Sequence, residues 1–347
     1  MKATPNLRRP RVLIVGCGDV GMRCVELLRP RARLFALTTQ PARCAELRAA
    51  GVTPLVGDLD ARGSLKRLAG LAPTVLHLAP PQKTGDDDRR TRALLATLCA
   101  RRMRPARNVA RPVARLRHLR AAWMEREAGN IVPDRVGRSA GSRAPARIVY
   151  ASTTGVYGDC GGALIDETRA VRPANPRAMR RVSAEQQLRR ATARGIVTAS
   201  IARIPGIYAA NRLPLGRLAK RTPALIDADD VYTSHIHADD LAAILVRMTR
   251  LGRPARVIHA ADDTTMKMGQ YFDAVADACG LERAPRVTRA QAEAQIEPML
   301  LSFMRESRRL VNERMKRELR VRLRYPTVGD FLRSAQVQAN RSGSTPA

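Results

Sequence analysis

The sequence predicts an α/β chain built on a doubly wound parallel sheet, with a smaller, mainly helical region late in the chain. Two observations carry this. Short apolar runs rich in β-branched residues alternate with helical patterns about ten residues long as far as Pro81. A glycine triplet, Gly16-Cys-Gly-Asp-Val-Gly21, falls between the first such run and the first helical pattern. The 347 residues leave ample chain for a sizeable core, as two domains or one large one.

In order, 11–15 is the first strand, and the helical pattern after the glycines carries Met22, Val25, Leu27 and Leu28 up to Pro30. A strand over 33–38 and a helix over 41–50 follow, ended by Gly51. Then come a strand over 52–56 closed by Gly57-Asp58-Leu59, a helix over 64–71, and a strand over 74–78 running into Ala79-Pro80-Pro81. The stretch 101–147 breaks the alternation with thirteen Arg against three acids and the only Trp, Trp123. Val113, Leu116, Leu119 and Trp123 recur there at helical spacing over 112–128. A surface excursion, a partner- or RNA-binding arm and a lid all fit this insert; the excursion is favoured, because lengthening a loop costs little stability. The strand pattern resumes over 147–151.

Composition excludes several classes. Basic residues number 62 against 31 acidic, a net charge of +31, but only six are Lys and aromatics are 3%. A nucleic-acid surface would mix Lys with Arg and interleave aromatics. The Arg-rich balance reads instead as coding bias, so specific nucleic-acid binding is not expected, although adhesion to polyanions at low salt is. No run of about 18 apolar residues offers a membrane span, and no signal-peptide pattern opens the chain, so a soluble cytoplasmic protein is expected. The six cysteines form no C-x-x-C pair and have no His at ligand spacing, so neither a disulfide framework nor a metal site is expected.

The glycine triplet has the context of a dinucleotide-binding loop. Gly16 permits the tight turn, Gly18 lets the backbone approach a pyrophosphate, and Gly21 allows close helix–strand packing, while the helix N-terminus behind Asp19 and Val20 presents N–H groups to phosphate. The second strand ends in Thr38-Thr39-Gln40, with no carboxylate to hold a ribose 2′-hydroxyl, and Arg43 follows where it can pair with a 2′-phosphate. NADP is therefore preferred over NAD. Asp58 is placed to meet the adenine amino group or to cap a helix. The expected cofactor set is Gly16, Gly18, Asp19, Val20, Gly21, Thr39, Arg43, Asp58, Leu59 and Ala79.

The glycine triplet, Gly57-Asp58-Leu59, His77-Leu-Ala-Pro80, Ser152-Thr-Thr-Gly-Val-Tyr-Gly158, Arg203-Ile-Pro-Gly-Ile-Tyr208 and Tyr232-Thr-Ser-His-Ile-His-Ala-Asp-Asp240 together resemble the NAD-dependent epimerase/dehydratase family. These are the extended and atypical short-chain dehydrogenases/reductases. The resemblance covers about 11–100 and 146–335. It implies a Rossmann-type domain over 11–250 carrying the 101–147 insert. A small substrate lobe would follow over 251–335, with 203–240 at the interface, and tails at 1–10 and 336–347.

The family's Tyr-x-x-x-Lys pair places a phenol and an ammonium on one helix face, the ammonium lowering the phenol's pKa. Alignment through Glu185 puts Arg177 and Arg181 at those positions, and none of the six tyrosines is followed by Lys four residues on. A guanidinium stays protonated and cannot serve as acid or base. Arg181 keeps a positive charge for a nicotinamide ribose or an anionic substrate. Thr153 matches the Ser/Thr that bonds the substrate oxygen in relatives, or is a strand-end hydroxyl. Thr154 and Gly155 stand where dehydratases of the family carry an acidic pair, which disfavours dehydration. Tyr157 and Tyr208 read as packing residues in preference to substitute proton donors; His77, His235 and His237 read as structural in preference to an acid/base cluster, with Asp239 or Asp240 capping the helix that follows. From about 285 the chain reads as helical, with Met299, Leu300, Phe303, Met304 and Leu310 apolar; Arg305, Arg308 and Arg309 read as solvated helix surface in preference to an anion site. The expected function is redox chemistry on a small or nucleotide-sugar-like substrate; a non-catalytic NADP(H)-binding sensor or scaffold is the alternative. Oligomeric state is not legible.

Overall fold

The computed structural model describes residues 9–100 and 144–334; the amphipathic pattern at 112–128, most of the Arg-rich insert and most of both tails lie outside them. The first half runs β1 (Arg11–Val15), α1 (Asp19–Leu28), β2 (Arg33–Thr38), α2 (Cys44–Ala49), β3 (Val52–Val56), β4 (Thr74–His77) and α3 (Arg89–Cys99). Next come β5 (Ala146–Thr153), β6 (Leu164–Ile165), α4 (Pro176–Ala193), β7 (Val197–Ile204), β8 (Gly206–Tyr208), α5 (Leu215–Ala219) and β9 (Ala224–Leu225). Then β10 (Tyr232–Thr233), β11 (His235–His237), α6 (Ala238–Leu251), β12 (Val257–His259), β13 (Met266–Lys267) and α7 (Met268–Cys279). The chain closes with β14 (Arg286–Val287), α8 (Arg289–Gln295), α9 (Pro298–Phe303), β15 (Arg309–Leu310), α10 (Glu313–Leu319) and α11 (Val328–Leu332).

Seven strands form one parallel sheet in the order β12-β7-β5-β4-β1-β2-β3. The chain leaves β1 toward β2 and β3, then returns to place β4 on the other side of β1. This reversal opens a crevice at the carboxyl ends of β1 and β4. The central strands are apolar on both faces, as a sheet covered twice requires: Leu13, Ile14 and Val15 are fully buried. One face packs Ile14, Leu76 and Val149 against Val25 of α1 and Leu241 and Leu245 of α6. The other packs Leu13, Val75 and Ile148 against Leu94 of α3 and Leu188 of α4.

Three local expectations change. The helix expected at 64–71 is a 3-10 run, Arg62–Leu68, because Gly63 weakens it and the Ser64 hydroxyl bonds back to Ala61 and Asp58 carbonyls. The helix expected from residue 41 opens with a 3-10 turn, Pro41–Arg43, before α2. Neither Asp239 nor Asp240 caps α6: the His237 side chain does, Nδ1 accepting the Asp239 N–H at 3.2 Å. Asp240 instead receives the Arg324 and Tyr325 N–H groups at 2.7 and 3.0 Å, fastening the last part of the chain to the main domain.

The boundary expected at residue 250 falls before β12, which is a strand of the main sheet. The chain goes out to the lobe and comes back again: Met315 and Leu319 of α10, with Val321, lie in the same core as Ile14 and Ile258. The lobe proper packs Tyr271, Phe272 and Val275 of α7 against Phe331 and Leu332 of α11 and Leu218 of α5.

Candidate functional site

Two cavities open at the carboxyl edge of the sheet. The first, about 430 Å³, is lined by Gly16, Gly18, Thr39, Arg43, Asp58, Leu59 and Ala79 from the expected cofactor set. Thr38, Gln40, Pro80 and Arg90 are among its other lining residues, and Arg90 is the one that no sequence motif marked. Arg90 spans its rim, bonding Asp60 through two nitrogens and the Pro80 carbonyl through a third.

The three glycines differ in surroundings. Gly16 has φ +89°, and a Cβ there would sit 2.5 Å from Ala79 N, so no side chain fits. A Cβ on Gly18 would meet nothing within 4 Å, which leaves the loop open toward the cavity. One on Gly21 would lie 3.2 Å from Gly16 O, so α1 packs against the loop with no room to spare. No side chain caps α1. The loop is therefore free to receive a phosphate group at the helix N-terminus. Asp19 and Val20 do not line the cavity: Asp19 faces sideways to Arg23 and Arg212, and Val20 packs against the core.

Arg43 crosses the mouth of this cavity. Its Nη1 donates to the Cys17 carbonyl at 2.7 Å while Nε and Nη2 hold both oxygens of Glu46 at 2.9 and 2.7 Å. Asp58 caps no helix; its Oδ1 accepts the Asp60 N–H.

The second cavity, about 520 Å³, lies beyond β5 and β7 and includes Thr153, Pro205, Arg217, Tyr232, Glu306 and Arg308 in its lining. Thr153 Oγ1 accepts the Gly155 N–H at 3.3 Å, and its own proton stays available. Arg181 lines neither cavity. It folds onto β5, donating to Ala151 O at 2.6 Å and to Tyr150 Oη at 3.1 Å. Arg308 is not on a helix and is not a solvated surface residue: 15% exposed, it bonds Gly158 O and Glu306 within the cavity. Arg309 bonds Gly162 O and lies over the Tyr232 ring. Arg305 alone of the three is exposed, paired with Glu293.

Arg217 is the unusual cation. It lines the cavity and has no carboxylate partner among the described residues; burial alone drives its pKa down to about 10. An uncompensated, half-buried guanidinium is an invitation to an anion.

Behind the second cavity lies a buried polar frame. Arg203 holds Glu185 bidentately at 2.6 and 3.1 Å and donates to Tyr157 Oη, which also bonds His259 Nε2 at 2.5 Å. Tyr157 thus has its one proton committed to His259 and none to give a substrate. Tyr208 is likewise fully buried, and burial raises its pKa far above the usual range. His77 pairs with Thr91 at 2.9 Å.

Burial lowers the pKa of His77 to about 3 and those of His235, His237 and His259 to about 4. Below about pH 6.5 the unfolded chain takes up these protons and the native protein does not. Each histidine then removes ~1.4 kcal/mol of stability per pH unit down toward its native pKa. Asp262, raised by burial to about 7, acts in the opposite sense over the same range. Four groups outweigh one, so the urea midpoint is expected to fall steeply between pH 6.5 and 4.5. A flat profile there would contradict the neutral buried histidines.

Among the described residues no group of His, Cys, Asp and Glu is arranged to hold a metal, and no helix is long and apolar enough to cross a membrane. The family model that matches is the TrkA-N domain, over residues 12–132. No curated protein matches the chain. Among solved structures, a functionally unknown conserved protein from Silicibacter pomeroyi is 25% identical with a TM-score of 0.69, over 95% of this chain and 99% of that one. A putative epimerase from Burkholderia cenocepacia is 17% identical with a TM-score of 0.65, over 96% of this chain and 98% of that one. The dTDP-glucose 4,6-dehydratase of Bacillus anthracis, solved with NAD, is 14% identical with a TM-score of 0.68, over 96% of this chain and 97% of that one. The chain thus has the Rossmann-type fold of the extended short-chain dehydrogenases/reductases, as the motifs of its sequence lead one to expect.

Proposed function

We propose that the chain is an NADP(H)-dependent oxidoreductase of the epimerase/dehydratase type, acting on a small anionic substrate such as a nucleotide sugar. The observation that carries this is the pairing of two cavities at one sheet edge. One is floored by a glycine loop whose Gly18 leaves room for a phosphate; the other presents the Thr153 hydroxyl. Such placement at a topological switch point is where open α/β sheets bind ligands. Solved neighbours described as complexes with NAD and UDP-glucose support the pairing.

The first cavity's residues fit a dinucleotide. Gly16 to Gly21 would take the pyrophosphate, Asp58 and Leu59 the adenine side, and Thr39 and Arg43 the ribose carrying a 2′-phosphate. A nicotinamide supplies hydride transfer when bound. The chain's own work is to orient: Thr153 offers a proton to a substrate oxygen, and Arg181 carries positive charge beside β5. Arg217 would take the substrate's anionic group. Residues 251–335, apart from β12 and α10, would close over it.

Arg43 decides the cofactor preference. Its replacement by Ala is expected to weaken NADPH binding about tenfold, ~1.4 kcal/mol, with NADH nearly unchanged. Fluorescence titration at moderate salt measures both. NADH binding as tightly as NADPH to the wild-type protein would reverse the preference. A second reading, a cofactor-binding sensor without turnover, is favoured by the arginines at 177 and 181; binding without oxidation or reduction of any probe would select it.

A further inference from the structure

We propose that Glu306 is the proton acceptor and donor of this site, in place of the phenol that Arg177 has displaced. The proposal rests on the oxidoreductase reading above. Glu306 arrives from the C-terminal lobe between α9 and β15, far in sequence from any segment where the family's acid stands. Its side chain is only 12% exposed and lines the second cavity.

Three contacts place it. Asn175, whose Oδ1 caps α4 by accepting the Ala178 N–H, donates its amide to Glu306 Oε1 at 3.3 Å. Arg308, anchored on Gly158 O, donates to Glu306 Oε2 at 2.8 Å. The carboxylate is thus held between the first turn of the helix that carries Arg177 and the loop after β5. Each oxygen keeps a lone pair free.

The third contact is a gap. A Cβ on Gly155 would lie 3.7 Å from Thr153 Oγ1 and 3.8 Å from Glu306 Oε2. The two oxygens therefore lie no more than 7.5 Å apart in the lining of one cavity, and a substrate hydroxyl that approaches between them over Gly155 can reach both. There Thr153 donates to the hydroxyl oxygen while Glu306 accepts its proton. In the oxidative direction the carbinol O–H bond breaks and its proton passes to Glu306 Oε2. The adjacent C–H bond breaks with its electron pair going to oxidised NADP, leaving C=O. In reduction the protonated carboxyl returns the proton as the hydride arrives. Arg177 cannot take part in this exchange, because a guanidinium stays protonated.

The test uses the full chain with UDP-glucose and dTDP-glucose as probes and NADP or NAD as oxidant. E306Q keeps the side-chain size and one acceptor oxygen, gives up one of the two neighbouring bonds, and cannot accept a proton. It is expected to lower kcat at least 100-fold and to abolish the acid limb of the pH–rate profile. NADPH affinity by fluorescence is expected to stay at the wild-type value, and the thermal midpoint to fall by a few degrees with folding intact. G155A, whose methyl makes ordinary contacts, is expected to fold normally, bind NADPH normally and lose at least tenfold in kcat/KM. E306Q within threefold of wild type, or an unchanged acid limb, overturns the role of Glu306 while leaving the oxidoreductase reading intact, and loss in Y232F alone gives the role to Tyr232. Wild-type protein that binds NADPH and turns over neither probe overturns both, and no NADPH binding overturns the reading of the first cavity as well.

Discussion

Substituting Gly16 by Val is expected to abolish saturable NADPH binding and to cost about 3 kcal/mol of stability. Two penalties combine. A β-branched residue in the left-handed region costs ~1–2 kcal/mol, and forcing its Cβ toward the backbone of Ala79 adds ~1–3 kcal/mol of overpacking. Leu78 and Ala79 both bond Val15 O through their N–H groups, so the obstructing backbone is pinned to β1 and cannot retreat. The loop must move instead, carrying Gly18 off the phosphate position. Chemical denaturation and a cofactor titration read the two effects separately. Gly18→Ala is the informative contrast: with nothing within 4 Å, it should leave stability nearly unchanged and reduce only binding. A stable, cofactor-binding Gly16→Val variant would show that the loop is not the site.

The second large effect is expected at Arg203. Replacing it with Met strands Glu185 at 4% exposure with only the Ser152 hydroxyl, at 2.6 Å, for company. An orphaned buried carboxylate costs ~3–5 kcal/mol, measurable as a shift of the urea midpoint. Adding Glu185→Met to the same chain should restore much of the loss, since two packed apolar side chains rival a buried pair. No recovery in the double variant would mean that Tyr157 and His259, which share the frame, and not the ion pair, set the stability. The frame ties α4 to β5 and β7, so the single variant should also disorder Thr153 and lower turnover in any probe that the wild type accepts.

Much of this was legible. β1, β2 and β3 occupy the expected residues because short β-branched runs between turn residues have few alternatives, and the glycine triplet could be read from three residues and their flanks. Legibility failed where the controlling contact is remote. The Ser64 hydroxyl that turns a helix into a 3-10 run, and the His237 ring that caps α6, compete with propensities that point elsewhere. β7 and β12 lie beside motif-bearing segments that mark a family and not a strand, although Val197–Ile204 is an apolar run like β5. The second cavity was hidden almost entirely. Thr153 could be placed by its spacing from Tyr157, but Glu306, Arg308 and Arg217 come from segments with no motif of their own. Arg43 shows the limit at single-residue scale: its position was predictable, its partnership with Glu46 and the Cys17 carbonyl was not.

The return of α10 to the main core has a consequence for synthesis. As the chain leaves the ribosome, the sheet can be laid down through β12 while its outer face still lacks Met315, Leu319 and Val321. Until those last side chains emerge, that face keeps an open apolar notch beside Ile258, a feature that invites chaperones or self-association. The completed molecule should then melt as one unit, because the lobe cannot loosen without uncorking the cofactor fold.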